Sequence, residues 1–232
     1  MRILVWNIRS GGGKRVRAIA AAVVGHAPGL AVLTEFRNGV TGDQLRTAFA
    51  GQGLRHQLAT DGPPRRNGIL VAAGFPIEVE GALQSPWNEA GRILPVRAGG
   101  LDVIACYFPQ RHEKIAVYDY LESISASLLE QPCLLLGDFN TGLHRVDEDK
   151  ATFIAADRFQ SLLDLGWIDV WRTLHPSARE YSWYSRAARG FRIDHVLASP
   201  SAMAHGVEAR YSHLEREQRV SDHSSLVVEY GK

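Results

Sequence analysis

The segment CLLLGDFN, residues 133–140, joins a strongly apolar run to an acid and an amide. The residues from Cys133 to Leu136 predict a β-strand, and Asp138 and Asn140 follow it directly. A carboxylate at the edge of a core loses hydration and needs hydrogen bonds, a cation or a proton in return. A turn in which the Asp and Asn side chains bond to their own backbone explains this segment equally well when it is taken alone.

The same pattern recurs elsewhere in the chain. The run ILVWN ends at Asn7, LAVLTE ends at Glu35, and VSDHSS holds Asp222 beside His223. Taken singly, Asn7 can cap a loop, Glu35 can be a paired surface acid, and Asp222 can cap the last turn. Asp194, in the apolar run FRIDHVLAS, is harder to explain in that way because a strand interior disfavours Asp. It needs a partner, and His223 is a candidate.

Several polar side chains from separate segments suggest one shared cation. Hard oxygen ligands without a cluster of Cys or His favour Mg²⁺ or Mn²⁺ over Zn²⁺. Mg²⁺ usually keeps several waters, takes one or two protein carboxylates and completes its shell with substrate phosphate. The pattern therefore points to phosphoryl chemistry.

The composition bounds the class of protein. A chain of 232 residues with 45% apolar and 22% charged residues is typical of a soluble globular protein, and we expect one domain over residues 1–232. The 26 basic and 25 acidic side chains nearly cancel, which excludes a strong overall field for a polyanion. Local basic clusters remain, and each is equally explained as ordinary surface charge: Arg2, Arg9, Lys14, Arg15 and Arg17, and the pair Arg65-Arg66.

Cys106 and Cys133 lie inside apolar runs, where a free Cys behaves as a small buried hydrophobe, so no disulfide framework is expected. The N-terminal run MRILVWN lacks the pattern of a signal peptide, and no apolar stretch is long enough to span a membrane. We expect a cytoplasmic protein with no membrane contact and no obligate protein partner.

Strand-like runs recur along the chain and alternate only irregularly with helical patterns. This favours two sheets packed face to face with helices outside over a simple doubly wound sheet. The predicted strands are Ile3–Trp6, Leu30–Leu33, Gly68–Ala73, Leu101–Phe108, Cys133–Leu136, Phe191–Ala198 and Leu226–Tyr230. Four helices are predicted. The first carries the apolar stripe Val16, Ile19, Ala20, Val23 and Val24, and the second opens at a capping box of Thr41 with Gln44. The third runs roughly from Ile115 to Leu129, and the fourth runs from about Phe153 to Leu165, where Gly166 stops it. Loops are expected at Pro63-Pro64 and at Gly142–Lys150.

An ordered set of segments resembles the endonuclease/exonuclease/phosphatase superfamily, in particular its exonuclease III-like branch of abasic-site endonucleases. The matching segments are WNIRSGG, LTE, YFPQ, LLLGDFN, YSWYS with GFRIDHVLAS, and SDHSSLVV. They occur in the family's order over nearly the whole chain. The resemblance implies an α/β fold, a four-layered α/β sandwich of two mixed β-sheets packed face to face with helices outside, with the strand ends converging on one mouth.

The resemblance also implies roles for the candidate residues. Glu35 would bind the metal, assisted by Asn7 and Asp222. Asp138 would orient or deprotonate the attacking water, with Asn140 beside it. His223, held by Asp194, would contact the phosphate, and Tyr107 would contact it or assist the leaving oxygen. The cofactor would be Mg²⁺, with Mn²⁺ able to substitute, and Arg9, Arg66, Lys114 and Trp183 are candidate contacts to nucleic acid.

The expected activity is Mg²⁺-dependent hydrolysis of DNA, as an abasic-site endonuclease, a 3′-to-5′ exonuclease or a less specific nuclease. Two features depart from the branch: Thr34 precedes Glu35 where Gln is familiar, and the chain is short after YFPQ and between GDFN and YSW. Trp183 matches a tryptophan of the lesion pocket, although a core aromatic is an equally good interpretation. The alternative activity is hydrolysis of RNA, a 3′-phosphate or a small phosphorylated metabolite. A third hypothesis is a binding module that has lost its active site. It requires inert residues at some of the matched positions, and none of these positions carries one.

Overall fold

A computed structural model describes residues 1–83 and 85–231 of the chain, and within them the strands form two six-stranded mixed sheets and a two-stranded ribbon. The first sheet has the order β13-β14-β1-β2-β4-β3 and the second has the order β5-β6-β7-β8-β12-β9, while β10 pairs with β11. The bounds are β1 Arg2–Asn7, β2 Leu30–Phe36, β3 His56–Ala59, β4 Gly68–Ala73, β5 Glu78–Val79, β6 Ile93–Ala98, β7 Leu101–Tyr107, β8 Cys133–Asp138, β9 Ile168–Asp169, β10 Trp183–Tyr184, β11 Gly190–Phe191, β12 Asp194–Ala198, β13 Val207–Ser212 and β14 Ser225–Tyr230.

Helices cover the outer faces of the two sheets and fill several connections. They are α1 Val16–Gly25, α2 Val40–Gly51, α3 Pro86–Glu89, α4 Ile115–Leu129, α5 Ala156–Asp164, α6 Val170–Leu174, α7 Pro200–Ala204 and α8 Leu214–Glu217, with short 3-10 turns at Gly13–Arg15, Gly81–Leu83 and Arg111–Lys114. Among the described residues no helix has both the length and the apolar character needed to cross a bilayer.

Alternation along the central strands builds three apolar layers. In β1, Ile3 and Val5 point between the sheets, whereas Leu4 packs on the side of α1 and α2. In β8, Leu134 points between the sheets and Leu135 packs on the side of α4 and α5. Because successive side chains of a strand point to opposite faces, a strand covered on both faces must be apolar throughout. The four-layered sandwich expected from the sequence is confirmed.

The apolar strands and the long helix were predicted well. β4 and α4 have the predicted bounds, and the other central strands differ from theirs by one to three residues. Gly166 follows α5 with a φ of +116°, as expected for a glycine that stops a helix. Pro63-Pro64 and the segment 142–150 lie outside helices and sheet strands, and both cysteines are buried and free.

Three details of the predicted elements were wrong. The helix α2 starts at Val40 after Gly39, which offers no side-chain cap, so Thr41 lies inside the helix and forms no capping box. The helix α5 starts only at Ala156, since the backbone N–H of Phe153 donates instead to the buried Glu148 carboxylate. The predicted strand Phe191–Ala198 is two strands, because Arg192 N bonds to Asp147 O rather than to a strand neighbour.

That interruption is stabilised by a buried ion cluster. Arg192 is 0% exposed, and its Nε donates to Asp147 Oδ1 at 2.7 Å while its Nη2 donates to Asp169 Oδ2 at 2.5 Å. Arg172 Nη2 also donates to Asp147 Oδ1 at 3.0 Å. Burial alone would raise the pKa of Asp169, but the charge of Arg192 holds this pKa well below its usual range. The cluster fixes the segment that leads into Asp194.

We predict that Arg192→Met lowers the free energy of unfolding by about 3–5 kcal/mol, because the buried Asp169 loses its arginine partner and the buried Asp147 keeps only Arg172. The measurement is a urea titration followed by circular dichroism. Arg158→Met is the matched control, since Arg158 forms ion pairs with Asp119 and Glu122 at the surface, where a pair contributes about 1 kcal/mol or less. Equal losses in the two variants would contradict a stabilising role for the buried cluster.

Candidate active site

The parallel pairing of β1 with β2 brings two polar strand ends together. Asn7 is 1% exposed, and its Nδ2 donates to Glu35 Oε1 at 3.2 Å. The other carboxylate oxygen, Oε2, accepts from the backbone N–H of Ser10 at 2.6 Å. Glu35 is half-buried, so its carboxylate is not sealed within the core. This end of the first sheet therefore offers a carboxylate oxygen ligand with a defined orientation.

Glu35 occupies an irregular position in β2. The pairing of β2 with β4 shifts register between Thr34 and Phe36, which leaves Glu35 as the extra residue of a bulge. Its φ is +57°, a conformation that side chains other than glycine rarely adopt. The Glu35 carbonyl accepts from the N–H of Gly11 at 2.7 Å, which holds this conformation. The bulge turns Glu35 out of the ordinary strand alternation.

The second sheet contributes two facing acids. β8 and β12 are antiparallel, and their register places Asp138 opposite Asp194. Asp194 Oδ2 accepts from His223 Nδ1 at 2.9 Å, which fixes the tautomer and orientation of the imidazole. Asp138 Oδ2 accepts from Asn7 Nδ2 at 2.8 Å, and its Oδ1 accepts from the backbone N–H of Asn140 at 2.9 Å. Hydrogen bonds through Asn7 thus join the two sheets at this site.

The electrostatics of the cluster follow from burial. Asp138, Asp194 and His223 are 2%, 1% and 6% exposed. Burial and the nearby charge of Asp194 raise the pKa of Asp138 to about 7. Burial alone would lower the pKa of His223, but the Asp194 carboxylate raises it to about 10. Near neutral pH the His223 imidazole is therefore protonated, whereas Asp138 lies close to the midpoint of its own titration.

The three residues also satisfy a geometric condition for holding a metal ion. Their ligand atoms lie within 4.8 Å of one another. Asp194 Oδ1 is buried and has no hydrogen-bond partner among the described residues, which leaves one acceptor for a cation or a substrate proton. The His223 Nδ1 is already used by Asp194, so the nitrogen donor that remains is Nε2. The oxygen atoms of Asp138 and Asp194 suit a hard cation, whereas His223 would have to lose a proton before its Nε2 could bind one.

Two residues predicted to assist the metal are placed differently from Glu35. Asn7 turns its Nδ2 toward the carboxylates, and its Oδ1 accepts from the backbone N–H of Arg9 at 2.9 Å. The Asp222 side chain is 41% exposed and lies 3.8 Å from Arg9 Nε. Asn7 is thus a bridge between acids, and Asp222 lies at the rim beside a predicted nucleic-acid contact.

Tyr107 and Asn140 complete the predicted catalytic set. The parallel pairing of β7 with β8 places Tyr107 in register with Asp138. The Tyr107 hydroxyl accepts from Asn67 Nδ2 at 3.2 Å, and burial together with the charge of Glu35 raises the pKa of the phenol to about 12. Asn140 has a φ of +51°, and its Nδ2 donates to the Phe108 carbonyl at 2.8 Å. The phenol is therefore protonated at neutral pH, and the Asn140 amide is anchored.

A cavity of about 260 Å³ adjoins Asn140. Trp183 forms part of its lining, in contact with Phe191 at 5.7 Å between ring centroids and with the His223 ring at 6.4 Å. Lys114 also lines it, but this residue is 3% exposed and its ammonium donates to the Asn140 carbonyl. Burial lowers the pKa of Lys114 to about 8.

The other two predicted contacts to nucleic acid lie at the surface. Arg9 has a side chain that is 59% exposed. Arg66 is exposed in the loop between β3 and β4, and its guanidinium donates to the Glu89 carbonyl. The four candidates therefore divide into two surface arginines and two residues of the cavity.

Sequence reasoning missed three polar residues that support the site. They are Ser10, which donates to Glu35, Asn67, which donates to Tyr107, and Arg37, whose Nε donates to Asn67 Oδ1 at 2.6 Å. Asn67 had a usable signal, since it is an amide directly before the apolar strand β4. Nothing in the local sequence singles out Ser10 or Arg37.

Comparison with known proteins gives one family and several similar structures. Residues 4–223 match the model of the Endonuclease/Exonuclease/phosphatase family. An AP endonuclease from Archaeoglobus fulgidus superposes over the whole of both chains with a TM-score of 0.86 at 21% identity. A 3′-5′ exonuclease from Neisseria meningitidis does so with a TM-score of 0.83 at 25% identity. A 3′ phosphatase from Neisseria, bound to a product DNA hairpin, matches over 99% of both chains with a TM-score of 0.82 at 23% identity.

We predict that Asp194→Asn lowers the pKa of His223, because the carboxylate that favours the imidazolium is removed. The titration of His223 can be followed by NMR of its imidazole nitrogens, with assignment by His223→Gln. In the wild type the ring stays protonated above pH 8, whereas the variant loses its proton at lower pH. Asp222→Asn is the control, since Asp222 makes the smallest contribution among the carboxylates that raise this pKa. An unchanged His223 titration in Asp194→Asn would contradict the assigned pair.

Proposed function

The chain belongs to the endonuclease/exonuclease/phosphatase family and is a hydrolase of phosphodiester bonds, and from this premise we propose that it is a Mg²⁺-dependent nuclease acting on DNA. The observation that supports the proposal most directly is the buried cluster of Asp138, Asp194 and His223 beside an aromatic cavity. A polar cluster of this kind, with perturbed pKa values and next to a concave surface, is typical of an active site.

Asp138 orients the attacking water and accepts its proton. Its pKa of about 7 lies near neutral pH, where a general base works most efficiently. The N–H of Asn140 and the Nδ2 of Asn7 hold the two oxygens of Asp138 at 2.9 and 2.8 Å. The carboxylate therefore reaches the reaction with its orientation already fixed.

His223 binds the phosphate as an imidazolium. Its Nδ1 is bonded to Asp194, so its Nε2 is the donor that remains for a non-bridging oxygen. The raised pKa of His223, about 10, supports a full positive charge at neutral pH. Charge that develops on the phosphate in the transition state is stabilised by a preorganised donor of this kind.

Glu35 would hold the metal, with help from Asn7 and Asp222. A Mg²⁺ ion bound there would supply Lewis-acid stabilisation of the phosphate oxygens, and Mn²⁺ would be able to replace it. Asn7 Oδ1 accepts one backbone N–H, and a carbonyl oxygen retains a second lone pair for a ligand bond. Asp138 is assigned to the water because Asn7 and Asn140 orient its carboxylate, and His223 is assigned to the phosphate because Asp194 orients its ring.

DNA is the proposed substrate because the cavity beside Asn140 has an aromatic wall. Trp183, Phe191 and Phe153 line it, and a base or sugar can pack on such side chains without sequence preference. The near-neutral net charge leaves phosphate recognition to local groups, among which Arg9 and Arg66 are exposed.

A terminal 3′-phosphate is the second candidate substrate. One similar structure is described as a 3′ phosphatase bound to product DNA hairpin. The same groups can orient water at a phosphomonoester, because water attacks phosphorus in both cases and the monoester differs in carrying one more unesterified oxygen. A substrate panel therefore includes plain duplex, abasic duplex, single strand, RNA and a 3′-phosphorylated hairpin, each with Mg²⁺, Mn²⁺ or chelator.

We predict that wild-type protein cleaves DNA with Mg²⁺ and that Asp138→Asn or His223→Ala lowers kcat by about 10²–10³ while the protein remains folded. Asp149→Asn is the matched control, because Asp149 is an exposed acid that pairs with Arg179. Single-turnover cleavage of labelled DNA gives the rates, and circular dichroism checks the fold. No cleavage of any nucleic acid by wild type would refute the nuclease proposal, and equal rates in Asp138→Asn and wild type would refute the catalytic assignment.

We predict that Trp183→Ala lowers kcat/KM for DNA by about 10-fold, because stacking of one base on an aromatic side chain is lost. Hydrolysis of bis(p-nitrophenyl) phosphate, which is too small to need the whole cavity, should change little. Tyr184→Ala is the control, since the neighbouring Tyr184 is 39% exposed and lies outside the cavity lining. Equal losses on DNA and on the small diester would contradict a role for Trp183 in holding DNA.

A further inference from the structure

Two polar side chains outside the predicted catalytic set are connected to Tyr107. Arg37 Nε donates to Asn67 Oδ1 at 2.6 Å, and Asn67 Nδ2 donates to the Tyr107 hydroxyl at 3.2 Å. All three residues are half-buried. Arg37 follows the end of β2, and Asn67 precedes the start of β4. The first sheet therefore carries a polar chain to a tyrosine of the second sheet.

Donor chemistry fixes the direction of every bond in this chain. A guanidinium can only donate, so the amide of Asn67 must turn its oxygen toward Arg37. Its NH₂ group then faces Tyr107, and an amide nitrogen can only donate as well. The Tyr107 oxygen consequently accepts this bond, and its own proton remains available for another acceptor. Because Arg37 can only donate, the Tyr107 hydroxyl must donate its proton to an acceptor other than Asn67.

The surroundings of the chain hold it in place. A Cβ on Gly11 would lie 2.8 Å from Arg37 Cβ, so the stem of Arg37 packs directly against this glycine, whose φ is +69°. The Arg92 guanidinium lies 5.2 Å from the centroid of the Tyr107 ring. Burial and the charge of Glu35 keep the phenol protonated by raising its pKa to about 12. The hydroxyl is a persistent donor in a fixed ring.

We propose that Arg37 and Asn67 are positioning residues that commit the Tyr107 hydroxyl to donate a hydrogen bond to an oxygen of the substrate phosphate. The assignment rests on the proposed phosphodiesterase function for its consequence in turnover, while the bond directions rest on the geometry alone. No proton is transferred in this interaction. The hydroxyl stabilises negative charge on the phosphate, and the amide prevents it from donating toward the protein instead.

The test is Asn67→Asp, which preserves the shape of the side chain and its bond to Arg37. A carboxylate accepts only, so the Tyr107 proton turns toward it and the donor to the phosphate is lost. We expect Asn67→Asp to lower kcat on DNA with Mg²⁺ by about 10- to 100-fold, as far as Tyr107→Phe, and Asn67→Ala to lower it less. A purely structural role predicts the reverse order, because truncation removes the packing and both hydrogen bonds.

The double variants separate this effect from simple repulsion of the substrate. In a Tyr107→Phe background the added change Asn67→Asp should alter kcat by less than about twofold, because residues that act through one group are non-additive. A loss of the same size in both backgrounds would show that the new charge acts on the DNA directly, and it would overturn the assignment. The assignment would be supported if Asn67→Ala lowers kcat less than Asn67→Asp does, and if the losses from Asn67→Asp and Tyr107→Phe do not add in the double variant.

A measurement without turnover distinguishes this inference from the proposed function. Protein labelled with 3-fluorotyrosine gives a fluorine resonance for residue 107 that disappears in Tyr107→Phe. We expect Asn67→Asp to shift this resonance, because the hydroxyl changes from acceptor to donor toward residue 67. An unshifted resonance would overturn the bond directions even if the enzyme is active. A shifted resonance in a protein that cleaves no phosphoester would instead refute the proposed function alone.

Discussion

Asp138 and Asp194 face each other across neighbouring antiparallel strands, and the rest of the site depends on this pair of buried acids. Two acids buried beside each other repel when both are ionised, so their neighbours must supply donors or positive charge. The protein supplies His223 to Asp194, and the Asn7 amide and the Asn140 N–H to Asp138. One oxygen of Asp194 remains without a partner among the described residues. The incomplete compensation makes the site receptive to a cation and to donors on a substrate.

The mixed topology of the sheets is what brings these groups together. Each sheet has one parallel pair near its middle, β1 with β2 and β7 with β8, so the carboxyl ends of these strands reach one edge of their sheet. Antiparallel neighbours then begin where the parallel strands end, and β12 starts at Asp194 for this reason. Two residues before it, Arg192 ties the same segment to Asp147 and Asp169. A buried ion cluster thus supports the position of Asp194 from outside the candidate active site.

The sequence predicted helices and strands well where the spacing of apolar side chains determines them. The run Gly68–Ala73 and the helix Ile115–Leu129 have the predicted bounds, because periodic apolar side chains determine them locally. The polar ends of apolar runs likewise identified the acids that the strands bring together. The bulge at Glu35 was not predictable, since its positive φ depends on bonds from a distant loop. Arg37 was missed for a related reason, because only the folded chain places it beside Asn67.

The side-chain amides of Asn7 and Asn67 set the direction of the hydrogen bonds in the site. Asn7 Oδ1 accepts from the Arg9 N–H, and Asn67 Oδ1 accepts from Arg37. In both cases an outside donor occupies the amide oxygen, so each NH₂ group points inward, one to the acids and one to Tyr107. The donors of His223 and Tyr107 are in turn left for a ligand. The net charge of the protein is only +1, yet it can present several donors to a phosphate. It does so by orienting its amide, imidazole and hydroxyl groups, and it does not need an excess of basic residues.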